Sequence, residues 1–348
     1  MARRTVVTTL VGLGVAVVVL AVLVWVVGVA PVLEALAGAR LDVVALVAGA
    51  ILAWMVLWGL ALWAIADAVG AEVGPLDAMF VHGGTVFANN VTPFGQAGGE
   101  PVGAWLLASV SDDAEVERTL AAMTSFDAVN VVPSLSFAIV GLGYFAAVTS
   151  LEGRLRVAAY GVIGLAAAVL VLAPLSWRYR HRLAGRLAGP VARPLGVVGR
   201  ALPGVAAPTV DGVERRIASY VEGIELVAGD RGRLVVALGC SAAGWAVQAL
   251  GLWLALLALD ATVAPYVPLF VVPIGTIAAA MPTPGGLGGI EAVQVALLTA
   301  ATGVALGTVT AAVLIFSVGG FLLSTSVGAA AASVVQVRHR VRDGSPPR

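Results

Sequence analysis

The chain has 348 residues, 60% of them hydrophobic and only 11% charged, with zero formal net charge and a mean hydropathy of +1.00. A soluble globule carries about a quarter of its residues as charged side chains, so this composition excludes one and indicates an integral membrane protein. The apolar runs are continuous rather than alternating, which selects helices over a β-barrel, and the lone Cys240 excludes an intrachain disulfide and a thiolate metal site.

Crossing a hydrocarbon core of about 30 Å takes about 20 helical residues. Runs of that kind fall at Thr5–Val29, Leu41–Ala66, Thr119–Val148, Val157–Leu175, Leu234–Ala258 and Leu306–Val335. The first has a basic start but is long for a signal-peptide centre and lacks a clear AxA exit, so it is expected to be retained. With the N-terminus in the cytoplasm, 17 of the 20 basic residues, all arginine, lie at the cytoplasmic face. Arg40, Arg154 and Arg156 lie outside, and six spans return the C-terminus to the cytoplasm. This is the orientation that the positive-inside rule favours, for a multi-pass protein of the cell membrane. The arginine clusters are topology signals, and no nucleic-acid partner is expected.

Two further apolar regions, 78–110 and 267–301, are each split by a Pro- and Gly-containing turn into arms of roughly 10 to 17 residues. Arms that short do not span a bilayer singly, so each region is expected to form a re-entrant helical hairpin. The turns carry one pattern twice: TPFGQAGGE at Thr92–Glu100 and TPGGLGGIE at Thr283–Glu291, or TPxGxxGxE. The offset from Thr92 to Thr283, 191 residues, also carries Leu41 to Gly232 and Thr119 to Thr310, near the starts of matching spans. Because the second unit begins on the opposite face, the expected fold class is an all-α integral membrane protein of about six transmembrane helices plus two re-entrant helical hairpins in an inverted-topology repeat. A first membrane repeat occupies 1–175 and a cytoplasmic Arg-rich linker 176–233. The remainder of the second repeat, which begins with helix 157–175, occupies 234–337, and a disordered tail fills 338–348. Within the linker, Val213, Ile217, Tyr220, Val221, Ile224 and Val227 recur at helical spacing. They predict an amphipathic interfacial helix, either a simple connector or an element of gating or partner docking.

The chemistry gathers at the turns. Pro93 and Pro284 stop one arm and suit the first turn of the next, while Thr92 and Thr283 are placed to cap it. Gly95, Gly98, Gly286 and Gly289 permit positive φ and leave amides uncovered. Exposed amides at a helix N-terminus suit a phosphate or carboxylate; the bland alternative is glycine serving close helix packing. Glu100 and Glu291 occupy equivalent places, and a carboxylate at bilayer depth costs about 2.5–3.5 kcal/mol unless paired or hydrogen-bonded. Each is either a cap for freed amides or a site that accepts a proton or contacts a cation. Asn89, Asn90, Gln96 and Gln248 could line the same cavity, as could Asp127 and Asn130, which share one helix face. Arg118 either pairs a phosphate or joins Glu115 and Glu117 in a surface cluster, and His82 is expected to be packed rather than a ligand. No HExxH, GxSxG, Walker or CxxC motif occurs, so neither an enzyme nor a cofactor is expected.

The segments NNVTPFGQAGGEPVGAWLL (Asn89–Leu107) and MPTPGGLGGIEA (Met281–Ala292) resemble signature segments of the lysylphosphatidylglycerol synthase transmembrane-region family, which includes the membrane domain of the multiple peptide resistance factor. The resemblance implies a flippase-like fold with two re-entrant hairpins and a cavity for a lipid head group. It implies motif roles for Asn89, Asn90, Thr92, Pro93, Gly95, Glu100, Thr283, Pro284, Gly286 and Glu291. The chain stops soon after its last span, so the soluble aminoacyl transferase domain of some relatives is expected to be absent. The expected function is movement of a polar lipid by alternating access, the phosphate against the turn amides and Glu100, Glu291 and Asp127 contacting a proton or a cationic head group. The expected partners are a phospholipid or polyprenyl-linked lipid and the membrane, with a homo-oligomer left open. The rival functions are an anchoring subunit for a glycosyltransferase or lipid-modifying enzyme, and an intramembrane hydrolase.

Overall fold

The computed structural model describes residue 14 and residues 17–92, 96–111, 116–149, 160–164, 166–172, 225–280 and 283–342, without the side chains of 96–98, 116–117, 279–280 and 339–342. Helix is the only regular structure among the described residues. In chain order the helices are α1 (Val17–Val27), α2 (Val29–Ala37), α3 (Leu41–Ala68), α4 (Pro75–Val91), α5 (Gln96–Val110), α6 (Val116–Val148), α7 (Tyr160–Leu172), α8 (Arg231–Leu257), α9 (Tyr266–Thr276), α10 (Gly289–Thr302), α11 (Leu306–Val313) and α12 (Gly319–Arg342). A π turn over Leu314–Val318 joins α11 to α12.

Among the described residues four helices are long and apolar enough to cross a membrane: Leu41–Ala68, Arg118–Val148, Arg231–Leu257 and Leu306–Arg338. The bent pair α1 and α2 makes a fifth candidate, so the described residues do not carry six. The expected span Val157–Leu175 is described only as the shorter apolar helix α7, with 157–159 and 173–175 outside the described residues, and the first expected span is bent. Its chain turns by 94° at Gly28, where φ is +101° and Pro31 follows. Glycine tolerates that backbone, and proline fits the first turn of the helix that resumes. The segment 5–13, most of the linker and its predicted amphipathic stretch, apart from 225–229, lie outside the described residues. Helix α12 reaches Arg342, into the stretch expected as a tail, and 343–348 lie outside the description.

Both interrupted regions form helical hairpins whose arms pack on each other, α4 with α5 and α9 with α10. The arms have 17, 15, 11 and 14 residues. At 1.5 Å per residue they reach about 17–26 Å, short of a hydrocarbon core. Pro75 opens α4 at its first turn, and Thr92 closes it in an extended conformation (φ −95°, ψ 143°), as a residue before proline must be. Asp230 caps α8 by accepting the Arg233 amide at 3.0 Å.

Elements recur along the chain: α3 and α8 start at 41 and 231, α4 and α9 at 75 and 266, α5 and α10 at 96 and 289, α6 and α11 at 116 and 306. The offsets run from 190 to 193 residues. Matching helices α3 and α8 make the most extensive contact among the described helices and run antiparallel. At one end Arg233 pairs with Asp67 at 2.5 Å and lies over the Trp63 ring; at the other the Arg40 amide donates to the Ala258 carbonyl at 2.9 Å. Packing is also exchanged between halves. Helix α6 packs on α9, and α12, which continues the matching helix, packs on α4. The buried apolar residues fall in two clusters, one around Leu62, Ile65 and Leu107 and the other around Leu252, Phe270 and Leu298.

Candidate functional site

The second turn is built from glycine. Gly285, Gly286 and Gly288 hold φ of +61°, +71° and +88°, a region that costs a side-chain-bearing residue about 1–2 kcal/mol. Positive φ was expected at Gly286, which has it, and at Gly289, which is instead the first residue of α10. The cap also differs from expectation. Thr283 does not cap the arm; its hydroxyl donates to the Leu287 carbonyl at 3.0 Å and closes the turn on itself. Glu291 supplies the cap, its Oε2 accepting the Gly288 amide at 2.5 Å. The carboxylate wins because it sits in the first turn of α10 with reach back to Gly288 and the attraction of the positive helix end. The Gly286 and Leu287 amides bond to the Thr283 and Pro284 carbonyls. Three successive turn amides are therefore already paired, not uncovered for a phosphate.

Glu291 is fully buried, and its Oε1 accepts the Ser317 hydroxyl from the π turn. A π turn places one extra residue in the helix, a device that concentrates at functional positions. Here it brings a hydroxyl to a carboxylate of the second hairpin. The first hairpin arrives through Asn90, whose Nδ2 donates to Ser324 Oγ at 3.2 Å and to Thr325 Oγ1 at 2.8 Å. A Cβ added to Gly285 would lie 3.0 Å from Asn90 Oδ1, so the two interrupted regions touch.

Between them lies a cavity of about 150 Å³. Its wall takes Asn90 from the first hairpin and Gly285, Leu287 and Gln294 from the second, closed by Trp54 of α3, Gln248 of α8 and Ser317 and Phe321 around the π turn. Among the described residues no arginine and no acid lies on this lining.

The other expected site residues are dispersed. The Asp127 carboxyl lies beside that of Glu100, where α6 packs on α5. Asn130 turns to α8, where its Oδ1 accepts Ser241 Oγ and its carbonyl accepts Trp245 Nε1 at 3.1 Å. Asn89 fills the space that Gly99 leaves, with a buried Oδ1 that has no partner. Arg118 is exposed at the start of α6. His82 is packed among Trp54, Trp58 and Phe126, as expected of a core residue. Pro93 and Gly95, and the side chains of Gln96 and Gly98, lie outside the described residues. Among the described residues no group of His, Cys, Asp and Glu could hold a metal ion.

Sequence reasoning missed Ser317, Gln294 and Trp54. Gln294 had a signal, since it stands three residues beyond Glu291 on the same arm; a serine in an apolar span has none.

A search of curated proteins found no match to the chain. The family model described as "Lysylphosphatidylglycerol synthase TM region" matches residues 9–328, nearly the whole chain, and it concerns a membrane region rather than a transferase domain. With this match, and with membrane-length helices and paired hairpins on the page, the chain belongs to the lysylphosphatidylglycerol synthase TM region family, a multi-pass membrane domain related to lipid handling.

Proposed function

We propose that the protein moves a polar lipid across the cell membrane by alternating access about two re-entrant hairpins in an inverted-topology repeat, with both termini cytoplasmic and no chemistry on the lipid. The observation that carries the reading is the contact of Asn90 with Gly285 at a shared cavity, because it joins the breaks of both hairpins at one polar point in an apolar molecule. The antiparallel run of α3 and α8 supports an inverted repeat, as does the exchanged packing of α6 on α9 and α12 on α4. Such repeats put the cargo at the interface of the halves, where broken helices line a cavity. Glu291 holds the second hairpin to the π turn, and Glu100 of the first hairpin lies beside Asp127 of α6. A change in either contact would let a hairpin move against its neighbour.

The test is reconstitution into proteoliposomes with a head-group-labelled lipid, scored by the fraction that an impermeant quencher reaches. Movement above empty vesicles is expected, with a loss of about tenfold or more for the Glu100→Gln, Glu291→Gln double variant. Normal lipid movement by that variant, together with loss of a co-purifying enzyme, would replace this reading with an anchoring subunit. Conversion of the lipid to a product in detergent would replace it with a hydrolase.

A further inference from the structure

We propose that Arg233 and Arg338, each seated on an acid and a ring of the first half, latch the two halves together at the face of the α3–α4 connection, and that this latch must release for lipid to move. That face is cytoplasmic in the proposed orientation. The proposal rests on the lipid-moving reading for its consequence and on the two seats alone for its geometry.

The two seats are built alike. Asp67, in the last turn of α3, pairs with Arg233 of α8 at 2.5 Å, and the guanidinium lies 4.5 Å from the centre of the Trp63 ring, one turn deeper in α3. Asp77, in the first turn of α4, pairs with Arg338 of α12, whose guanidinium lies 5.2 Å from the centre of the Phe80 ring, again one turn deeper. The first half supplies both acids and both rings, and the second half supplies both arginines. The short connection 69–74 joins α3 to α4 with Val69, Ala71 and Val73 buried, so the seats flank one packed link. Exposed ion pairs contribute little singly. Here the acids are partly shielded, 37% and 32% exposed, against 72% for Asp42, which pairs with Arg40 two residues away at the opposite face and joins no second helix. Each seated arginine also covers an aromatic ring, a second attraction that orients its planar group. The helix starts are offset by 190 residues for α3 and α8 and for α6 and α11, and by 191 for α4 and α9. At those offsets Asp67, Asp77, Arg233 and Arg338 correspond to Leu257, Pro268, Val43 and Val148, all apolar. The seats are therefore a property of one face and not of the repeat. An inverted repeat alternates by exchanging the arrangements of its halves, so contacts present at one face and missing from the matching positions of the other bias the molecule toward closure at the first.

The test uses the full chain in lipid nanodiscs, with Cys240 replaced by serine and spin labels at Leu76→Cys and Val337→Cys, exposed positions beside Asp77 and Arg338. Pulsed electron spin resonance then reads the distance between α4 and α12. One short distance is expected to dominate in the parent. Asp67→Asn with Asp77→Asn keeps the shape of both acids and removes their charge, and is expected to raise a longer component about threefold or more. Exchanging the charges, Asp77→Arg with Arg338→Asp, is expected to bring back the short distance that Arg338→Asp alone loses, which guards against a variant that merely misfolds. In a second arm Asp77→Cys and Arg338→Cys are joined by a reversible bis-methanethiosulfonate linker. Lipid movement in proteoliposomes is expected to fall about tenfold or more and to return on reduction. An unchanged distance distribution in the neutralised variant, no return on charge exchange, or lipid movement by the linked protein at the unlinked rate would overturn the latch and leave the lipid-moving reading standing. Separation of α4 from α12 in the neutralised variant of a parent that moves no lipid would uphold the closure and sink the lipid-moving reading.

Discussion

Glu291 and Ser317 join the second hairpin to the π turn of the last span through a hydrogen bond from hydroxyl to a fully buried carboxylate. The same carboxylate takes the Gly288 amide, so one side chain satisfies two donors. Glu291→Ala would leave both donors buried and unpaired as well as a void. The expected cost is about 2–5 kcal/mol, against about 1–3 kcal/mol for Ser317→Ala. Denaturant titration in mixed micelles reads both; a Ser317→Ala loss equal to that of Glu291→Ala would show that the Gly288 contact contributes nothing.

Gly285 and Gly303 share a left-handed backbone, with φ of +61° and +67°, but not a neighbourhood. A Cβ at Gly285 would come within 2.9 Å of the Phe321 ring and 3.0 Å of Asn90 Oδ1, whereas at Gly303 it meets nothing within 4 Å. Alanine at either position incurs the strain of about 1–2 kcal/mol. Only Gly285→Ala should also displace Asn90 and Phe321, so it should destabilise by at least about 1 kcal/mol more. Thermal unfolding of the two variants side by side makes the comparison, and equal shifts would argue against contact between Asn90 and the second turn.

Much of this arrangement was legible in the sequence, for identifiable reasons. Pro93 and Pro284 interrupt apolar runs too short to span, so two helical hairpins followed directly, and the offset of 191 residues anticipated the observed element offsets of 190 to 193. The bend at Gly28 was missed because an apolar run hides a break that depends on one φ. The role of Thr283 was misassigned because spacing alone cannot rank a hydroxyl against a carboxylate for the same amide. The separation of Glu100 and Asp127 from the cavity depends on which neighbouring helix each face meets, and that follows from exchanged packing between halves rather than local pattern.

That exchanged packing is tightest where α12 crosses α4. A Cβ on Gly328 would lie 2.3 Å from the Gly83 carbonyl oxygen and 3.0 Å from the Phe87 Cβ. Backbone cannot yield as a side-chain tip can, so Gly328→Ala should force the helices apart at a cost of about 2 kcal/mol or more. Gly319→Ala, in the same helix but with no contact closer than 4.0 Å, should be neutral or stabilising by up to about 1 kcal/mol through helix propensity. The melting temperature should therefore fall for Gly328→Ala and hold or rise for Gly319→Ala.

The orientation is open to direct measurement. Arg40 and Arg231 are both exposed and stand at opposite ends of the antiparallel α3 and α8 pair. With Cys240 replaced by serine, Arg40→Cys should react with an impermeant maleimide on intact cells, and Arg231→Cys only after the membrane is opened. The reverse pattern would invert the topology.

Glu100 on α5 and Asp127 on α6 are neighbouring acids and bear on driving force, because two ionised carboxylates side by side repel. A proton taken up by the pair would relieve that repulsion and its release would push α5 from α6, so protonation and hairpin position would be linked. Glu100→Gln removes one of the two acids. It should fold with stability within about 1 kcal/mol of the parent and move lipid without regard to a pH gradient. Asp127→Asn should behave alike. In proteoliposomes the parent protein should speed up severalfold under an imposed gradient, while both variants keep a flat rate. A gradient response retained by both would place the driving proton elsewhere in the molecule.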